Sequence, residues 1–482
     1  MSTETLILKI PENHLHIART VGEVADRLDQ PVWVVGGYVR DLLLLEGSDR
    51  EPKHDLDFVT IGSGEALAQE VARELHVKQI SVFKKFGTAH LRKGNFDLEF
   101  VGARKESYQR NSRKPIVENG TLEEDQMRRD LTINAMSICL NQAHFGELLD
   151  PFGGREDLAN RRIRTPIDPH TTFNDDPLRM MRAIRFAVQL NFEIVPETLQ
   201  AIRDQHSRIK IVSMERVTEE LTKMILADRP SRAFALLFET GLLNEFFPEM
   251  VKLHGVKEKD GVRHKDNFWH TLKVLDNVAE MSQDLWLRWA AILHDIAKPP
   301  TQRFVPGIGW TFHGHEALGA KWVPNIFRRL GLPLDERMRY VQKLVRLHLR
   351  PIALADEGVT DSAIRRLLFE AGDDVDDLMK LCRADITSKN EVKVKRYLKN
   401  FDLVEEKIVE VEDKDRIRNW KNPVTGEMIM KELGIEPGPA IGQLKELVKE
   451  AILEGIIPNN EEKAREFMLL EAKKLGIGRD EP

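Results

Sequence analysis

The chain has 482 residues, more than one ordinary core supports, and length alone predicts about two to four domains. Its 41% hydrophobic and 31% charged residues, with both signs interspersed, exclude a disordered or membrane-embedded chain. The formal net charge of −6 excludes a uniformly basic protein, so any nucleic-acid surface must be a local patch. The two cysteines, Cys139 and Cys382, lie far apart among apolar neighbours, as reduced thiols do. The N-terminus lacks a basic stretch leading into a long apolar run, and no segment reaches the length of a membrane span. A cytoplasmic protein with no membrane partner is expected.

In chain order, a helically periodic segment runs to about Gln30. Strand-like patterns follow at Val32 to Val35, Asp55 to Thr60, Gly87 to Arg92 and Phe96 to Val101, which predicts a mixed α/β domain. From about Pro177 onward nearly every segment has helical periodicity, so the remainder is expected to be essentially all-helical. Proline and glycine punctuation near 151–154, 166–169, 255–261 and 434–442 marks the joints.

The apolar run Val32–Val35 leads into Gly36-Gly37 and a helix with Arg40 one turn in. Such a turn can bring backbone N–H groups against a phosphate, with the helix dipole and Arg40 adding positive charge, although glycine pairs also serve as plain tight turns. More specific is His54-Asp55-Leu56-Asp57-Phe58, because residues two apart on a strand project from one face. The β-carbons of Asp55 and Asp57 should be about 6–7 Å apart, suited to a pair of Mg²⁺ ions roughly 4 Å apart. Leu56 and Phe58 mark the strand as buried, where two unpaired carboxylates are costly and a cation is the simplest remedy. Glu99, on a later strand, is either a third carboxylate of this site or an exposed edge charge.

Arg104 to Lys114, including Tyr108, Arg110 and Arg113, reads as a polar, basic loop without a clear period. Arg128-Arg129-Asp130-Leu-Thr132-Ile-Asn134 places charged, hydroxyl and amide groups near a helix start, suited to triphosphate and ribose contacts. The alternative is a helix surface capped by Asp130.

The ordered series GGYVRD, DLD, RRDLTINA, DPFGGREDL, NDDPLRMMRAIRFA and SMERVTEEL resembles the class II tRNA nucleotidyltransferases, the CCA-adding enzymes, and their bacterial poly(A) polymerase relatives. The resemblance runs from about residue 30 to 250 and continues through a helical tail. It implies an α+β chain: a polymerase-β-like nucleotidyltransferase head with a mixed sheet (1–165), then a helical neck (166–255), an HD-containing body (256–392) and a helical tail (393–482). By that resemblance Asp55 and Asp57 are the catalytic pair and hold Mg²⁺; Glu99 is the candidate third ligand read from its strand. The nucleotide is bound by Gly36, Gly37, Arg40, Arg129, Asp130 and Asn134, and by a helix-borne set comprising Asp176, Arg179, Arg182 and Arg185.

In the family an aspartate and an arginine, here Asp176 and Arg179, read the incoming base in place of a template. Asp can accept from an exocyclic amine and Arg can donate to a ring nitrogen or carbonyl, so the pair suits C and A and mismatches U and G. Their i, i+3 spacing predicts neighbouring positions on one helix face, whereas Arg185, nine residues on, should have drifted about half a turn. Seen without the resemblance, Asp176 followed by Pro177 is an ordinary helix start. Asp175 stands where the family commonly has glutamate, keeping the charge on a shorter side chain.

Farther on, His270, His294-Asp295, His313, His315, His348 and Asp385 form a spaced series of imidazoles and carboxylates in or beside helical patterns. The pair His294-Asp295 within an apolar helix needs partners, and a divalent metal with mixed N and O ligands would satisfy both. The series resembles the HD phosphohydrolases. That implies His270, His294, Asp295 and Asp385 as primary ligands, His315 and His348 as assistants to a second metal or the substrate phosphate, and His313 as a bystander. Mg²⁺, Mn²⁺, Ni²⁺ and Fe all suit such ligands, and related enzymes suggest 2′,3′-cyclic phosphodiesterase or phosphatase work.

The turn Gly434 to Lys445, with Lys449 one turn later, is either an RNA-backbone contact, which the family's tail suggests, or a plain interhelical turn. The expected activity is template-independent addition of CCA to tRNA, or another RNA 3′ end, from CTP and ATP, with no DNA partner. Alternatives are a CC-only or A-only specialist or a poly(A) polymerase. The full-length loop from Arg104 to Asp125 argues against CC-only addition. From another class comes an HD phosphohydrolase with a regulatory nucleotide-binding head, which would predict damage to the carboxylate pair.

Overall fold

The computed structural model describes residues 8, 10–83, 87–107, 116–357, 360–387, 390–415, 417, 418 and 420–478. It divides into two compact units, Met1–Pro248 and Glu249–Pro482.

The first unit opens with α1 (Glu12–Arg27), whose apolar positions Ile17, Val21 and Val24 are buried. There follow β1 (Val32–Val35), α2 (Gly37–Leu44), β2 (Asp55–Thr60), α3 (Gly64–Glu74), β3 (Ile80–Phe83), β4 (Thr88–Lys93) and β5 (Phe96–Gly102). Next come β6 (Arg104–Ser107), β7 (Ile116–Asn119), α4 (Leu122–Met127), β8 (Ser137–Cys139) and β9 (Leu148–Leu149). Seven of these strands form one mixed sheet in the order β3-β4-β5-β2-β1-β8-β9. β2 lies near its centre, antiparallel to β1 and parallel to β5. Its period-2 pattern places Leu56 and Phe58 at 0% exposure on one face, with Phe58 stacked on Phe100, and turns Asp55 and Asp57 to the other.

The unit continues through α5 (Gly154–Ala159), β10 (Arg162–Ile163), α6 (Pro169–Asp175), α7 (Leu178–Gln189), β11 (Glu193–Ile194), α8 (Pro196–Gln205), α9 (Met214–Ile225), α10 (Pro230–Glu239) and α11 (Leu242–Phe246). α7 is buried along most of its length and packs on α9.

The second unit is helical apart from two short hairpins. α12 (Pro248–Val251) leads to β12 (Glu258–Lys259), β13 (Val262–Arg263), α13 (Asn267–Met281), α14 (Leu285–Leu293), α15 (Lys298–Thr301), β14 (Arg303–Val305) and β15 (Gly309–Thr311). α16 (His315–Arg329), α17 (Glu336–Leu347), α18 (Arg350–Glu357), α19 (Asp361–Ala371) and α20 (Val375–Asp385) follow. The chain then runs through α21 (Glu391–Asp415), α22 (Gly426–Leu433), α23 (Pro439–Leu453) and α24 (Glu461–Lys474). From Leu287 to Ile296 every residue is buried, so this stretch forms the core around which the others gather.

This is the expected α+β class, with four local corrections. The segment after Gly102 is not simply a loop: Arg104–Ser107 pairs antiparallel with Ile116–Asn119, and Tyr108, Arg110, Arg113 and Lys114 lie outside the described residues. The short strands β3, β8 and β9 carry too few residues for a visible period. Arg128 to Asn134 is not a helix start but a link from the end of α4 to a single 3₁₀ turn at Thr132–Asn134, and Asp130 caps no helix. The region after Pro177 contains the hairpins β12–β13 and β14–β15. No helix of the described residues is long and apolar enough to cross a membrane.

Candidate functional sites

The first site grows from the register of the central strands. Asp57 stands opposite Val35 of β1 on one side and Glu99 of β5 on the other. Since β5 is interior to the sheet, Glu99 is no edge charge; it sits beside the carboxylate pair. Loss of water pushes the Asp57 carboxyl up to about 6; Arg129 opposes this, and Glu99 and Asp55 reinforce it. No described residue ion-pairs with, or donates a hydrogen bond to, Asp55 or Asp57. A cluster of this kind is chemically suited to a hard divalent cation.

β1 ends in Gly36, whose φ of 78° and ψ of −137° only glycine adopts readily, and α2 starts at once. Arg40 on α2 donates from Nη1 to Asn134 Oδ1 at 2.8 Å and from Nη2 to Asp41 Oδ1 at 2.6 Å. Asn134 donates to Asp130 Oδ1 at 3.1 Å, and Arg182 Nε donates to Asp130 Oδ2 at 2.6 Å. Burial alone would raise the Asp130 carboxyl, but Arg182, Asn134 and Arg179 hold it at about 2. Arg129 is aimed by Asp125, 3.1 Å away.

Apart from Glu99 and Asp125, the polar groups of this site line one cavity of about 440 Å³. Asp55, Asp57, Gly36, Gly37, Arg40, Arg129, Asp130, Asn134, Asp176, Arg179, Arg182 and Arg185 meet there, so every nucleotide-site residue singled out from the sequence except Glu99 is on its wall. Eight cationic and five carboxylate side chains give the cavity an excess of positive charge in a chain that is negative overall.

Two expectations about α7 are corrected. Asp176 is not on the helix face with Arg179: it lies in the extended link between α6 and α7, with φ −137° and ψ 102°, and its Oδ1 accepts from the Leu178 N–H at 3.2 Å. Arg185 has not drifted from the cavity; Glu220 of α9 holds its Nε at 2.5 Å, and its guanidinium lies 3.9 Å from the centre of the Phe186 ring. The same ring gathers Arg40 and Arg182 at 5.0 and 5.6 Å. Sequence reasoning missed Lys53, Phe186 and Arg216 as cavity residues, although two of the three stand inside the quoted motifs.

The second site is built from helix ends in the second unit. α13 carries His270, α14 ends at His294-Asp295, α16 begins at His315, α17 ends at His348 and α20 ends at Asp385. Asp295 lies between two groups: its Oδ2 is 3.2 Å from His294 Nε2 and 3.4 Å from His270 Nε2, and its Oδ1 is 3.2 Å from His315 Nε2. Asp385 Oδ1 is 2.8 Å from His270 Nε2. The donor atoms of His270, His294 and Asp385, and of Asp295, His315 and His348, form two sets compact enough to hold one ion each. His313 is exposed and belongs to neither.

The tautomers follow from the backbone. Nδ1 of His294, His315 and His348 each lies 2.7 Å from the carbonyl oxygen three residues earlier, so each Nδ1 carries a proton to donate. When these rings are neutral, their Nε2 lone pairs face inward. His315 and His348 meet Nε2 to Nε2 at 3.3 Å, and burial together with His294 drives His348 down to about 3, leaving it neutral. Buried lone pairs pointed at each other and at a carboxylate call for a cation, and His294 Nε2 has no hydrogen-bond partner among the described residues. Burial would raise the Asp295 carboxyl, yet His294 and Lys298 hold it well below the usual carboxylate range. Lys298, 2.6 Å from Asp295 Oδ2, and Lys265, 3.4 Å from His270 Nδ1, were not read from the sequence. For Lys298 the signal was its place one turn after Asp295.

The expected turn from Gly434 to Lys445 is shorter than that: Gly434 takes the left-handed conformation after α22, and Pro439 opens α23, so Lys445 lies inside that helix. Lys449 Nζ lies 2.5 Å from Glu446, so its charge is engaged within the helix.

Strand-borne carboxylates on a cationic cavity define a nucleotidyltransferase head, and the helix-end cluster is a separate metal-type centre. The sequence matches the family "Poly A polymerase head domain" over residues 32–164, "Probable RNA and SrmB- binding site of polymerase A" over 191–253 and "HD domain" over 267–390. A multifunctional CCA protein of Verminephrobacter eiseniae is 34% identical over 326 residues, covering 66% of this chain and 74% of the relative. A CC-adding tRNA nucleotidyltransferase of Thermus thermophilus is 31% identical over 450 residues, covering 90% and 92%. The fold is shared with the Bacillus stearothermophilus CCA-adding enzyme crystallised with CTP, at TM-score 0.65 and 23% identity over 97% of this chain and 99% of that one. The chain belongs to the tRNA nucleotidyltransferase family and is a nucleotidyltransferase that also carries an HD domain.

Proposed function

We propose that this chain extends the 3′ end of tRNA without a template, attaching C, C and A in turn from CTP and ATP. The observation that carries the reading is the meeting of two pairs, Asp55 with Asp57 and Asp176 with Arg179, on one cationic cavity. Asp55 and Asp57, with Glu99 behind them, would hold Mg²⁺. A divalent cation bound there lowers the pKa of the attacking ribose hydroxyl and offsets charge on the leaving pyrophosphate.

The other roles belong to the chain's own groups. The N–H groups after Gly36 and the guanidinium groups of Arg40 and Arg129 receive the triphosphate. Asp130 and Asn134 fix Arg40 and Arg182 in place and leave amide and carboxylate edges for the ribose. Asp176 accepts from the exocyclic amine of C or A, and Arg179 donates to the ring nitrogen or carbonyl beside it. Arg185 acts by holding Phe186 and α9 against the cavity wall.

The division into head (1–165), neck (166–255), HD body (256–392) and tail (393–482) belongs to the same proposal, as does tRNA contact through the tail. In the body, His270, His294 and Asp385 on one side and His315 and His348 on the other, with Asp295 between them, would hold one or two of Mg²⁺, Mn²⁺, Ni²⁺ or Fe for phosphoester hydrolysis. Two free, buried cysteines support a cytoplasmic location.

The relatives' names divide among multifunctional CCA proteins, CC-adding enzymes and A-adding enzymes, so the test must resolve each step. Each labelled NTP is offered singly to tRNA transcripts ending before CCA, after C and after CC. The reading expects CTP on the first two and ATP on the third; CTP alone on the first two identifies a CC specialist, ATP on the third alone an A-adding specialist, and ATP on all three a poly(A) polymerase.

A further inference from the structure

Behind Tyr38 lies a cluster of side chains that do not line the cavity and that the nucleotidyl-transfer reading does not use. His14, in the first turn of α1, is 0% exposed, and neither ring nitrogen has a hydrogen-bond partner among the described residues. An imidazole always carries at least one N–H, and leaving a buried polar group unsatisfied costs about 1–3 kcal/mol. The ring is stacked on Tyr38 at 5.5 Å, meets the edge of Phe96 at 4.9 Å and lies 5.0 Å from the His54 ring. If aromatic packing were its whole role, a phenylalanine would serve without that cost.

His14 is not alone. A donor atom of His14, one of His54 and a carboxylate oxygen of Glu51 all lie within 4.8 Å of one another. Glu51 is steadied by Asn13, whose Nδ2 donates to its Oε2 at 2.6 Å. Two imidazoles and a carboxylate form a three-ligand set that binds Zn²⁺ with bonds of about 2.0–2.2 Å and leaves a fourth position for water. Tetrahedral bonds of that length bring ligand atoms to about 3.4 Å apart, a contraction that rotation of the exposed Glu51 carboxylate and of the half-buried His54 ring can make.

We propose that His14, Glu51 and His54 form a binding site for a divalent transition ion, Zn²⁺ foremost, distinct from both the Asp55/Asp57 pair and the HD centre. Its ligands come from α1 and from the connection into β2. The His54 carbonyl already accepts the Asp97 N–H at 2.9 Å, which extends the β2–β5 ladder by one residue. The ion therefore pins α1 to the backbone immediately before Asp55 and acts as a structural clamp.

The test uses the full chain with both ligand sets of the HD centre disabled by His270→Ala, His294→Ala, His315→Ala and His348→Ala. The protein is stripped with chelator, loaded with ZnCl₂ under excess Mg²⁺ to cover Asp55 and Asp57, desalted and analysed for metal content; Co²⁺ loading gives a visible spectrum. One retained equivalent is expected. Glu51→Gln, an exposed change that leaves packing intact, and His54→Gln weaken it by at least about tenfold, and His14→Phe abolishes it without loss of helical signal. With the HD centre intact, Glu51→Gln should likewise lower zinc content by one equivalent, a comparison free of the HD substitutions. Absence of retained zinc, or retention unchanged by Glu51→Gln and His54→Gln, overturns the proposal and leaves His14 as aromatic packing.

Discussion

Asp57 stands directly opposite Glu99 in the parallel ladder between β2 and β5, so a carboxylate on the central strand has another as its register partner on that side. Desolvation, with Glu99 and Asp55 adding to it against Arg129, places the Asp57 carboxyl at about 6. For an acid whose folded pKa exceeds its unfolded value of about 3.9, the native state binds the extra proton, so stability falls as pH rises between the two values. In chelator, Asp57→Asn should therefore stabilise the protein, by about 1 kcal/mol more at pH 7.5 than at pH 5. Thermal melts of both proteins at the two pH values check this; an equal effect at both would contradict it.

Gly36 and Gly442 make a paired test of backbone freedom. A Cβ on Gly36 would sit 3.3 Å from Arg129 Nη1 and 3.4 Å from Asp57 Oδ2, on a backbone with φ of 78°. Gly36→Ala should cost about 1–3 kcal/mol and most of the transfer activity. Gly442, inside α23 with open space around it, should gain about 0.5–1 kcal/mol as alanine. Denaturant midpoints and single-turnover incorporation read both.

Asp130 joins Arg182 to Asn134 and through it to Arg40, so its removal should disturb two cavity cations at once. Arg182 retains some exposure, and Asp130→Asn should cost about 1–3 kcal/mol in stability. Its depressed carboxyl, at about 2, contributes stability above the unfolded value of about 3.9 that is lost as pH falls toward 2. Urea unfolding at pH 7 and pH 3 should therefore show a smaller wild-type advantage at the lower pH.

Asp176 and Arg179 are predicted to set base choice. Arg179→Ala should narrow the preference for CTP and ATP over UTP and GTP by about 1–3 kcal/mol, roughly fivefold to 150-fold in kcat/KM ratios. Competition assays with mixed NTPs measure this directly, and an unchanged ratio would remove Arg179 from base selection.

In the second unit, the inward lone pairs of His315 and His348 make the metal-free cluster costly. A transition ion at about a hundred times its Kd should raise unfolding free energy by about 2.7 kcal/mol. His348→Ala should abolish most of that gain in melts performed with and without Mn²⁺ or Ni²⁺.

The carboxylate pair was legible because a strand's period is local: two residues apart is enough to put Asp55 and Asp57 on one face. The helix ends carrying His294, His315 and His348 were legible as spaced imidazoles within apolar periods. What escaped is set by tertiary placement. Lys53 and Arg216 reach the cavity from different elements, Arg185 is returned to it by Glu220, and Asp176 leaves the helix because the chain bends between α6 and α7. No spacing rule within one segment encodes those positions.

The most direct measurement is incorporation of CTP and ATP onto tRNA lacking its CCA end by the wild-type protein, Asp57→Asn and His294→Ala side by side. The account predicts complete C, C, A addition by the wild type and His294→Ala, and loss of at least about a thousandfold in Asp57→Asn. Retention of transfer by Asp57→Asn, or its loss in His294→Ala with the fold intact, would contradict it.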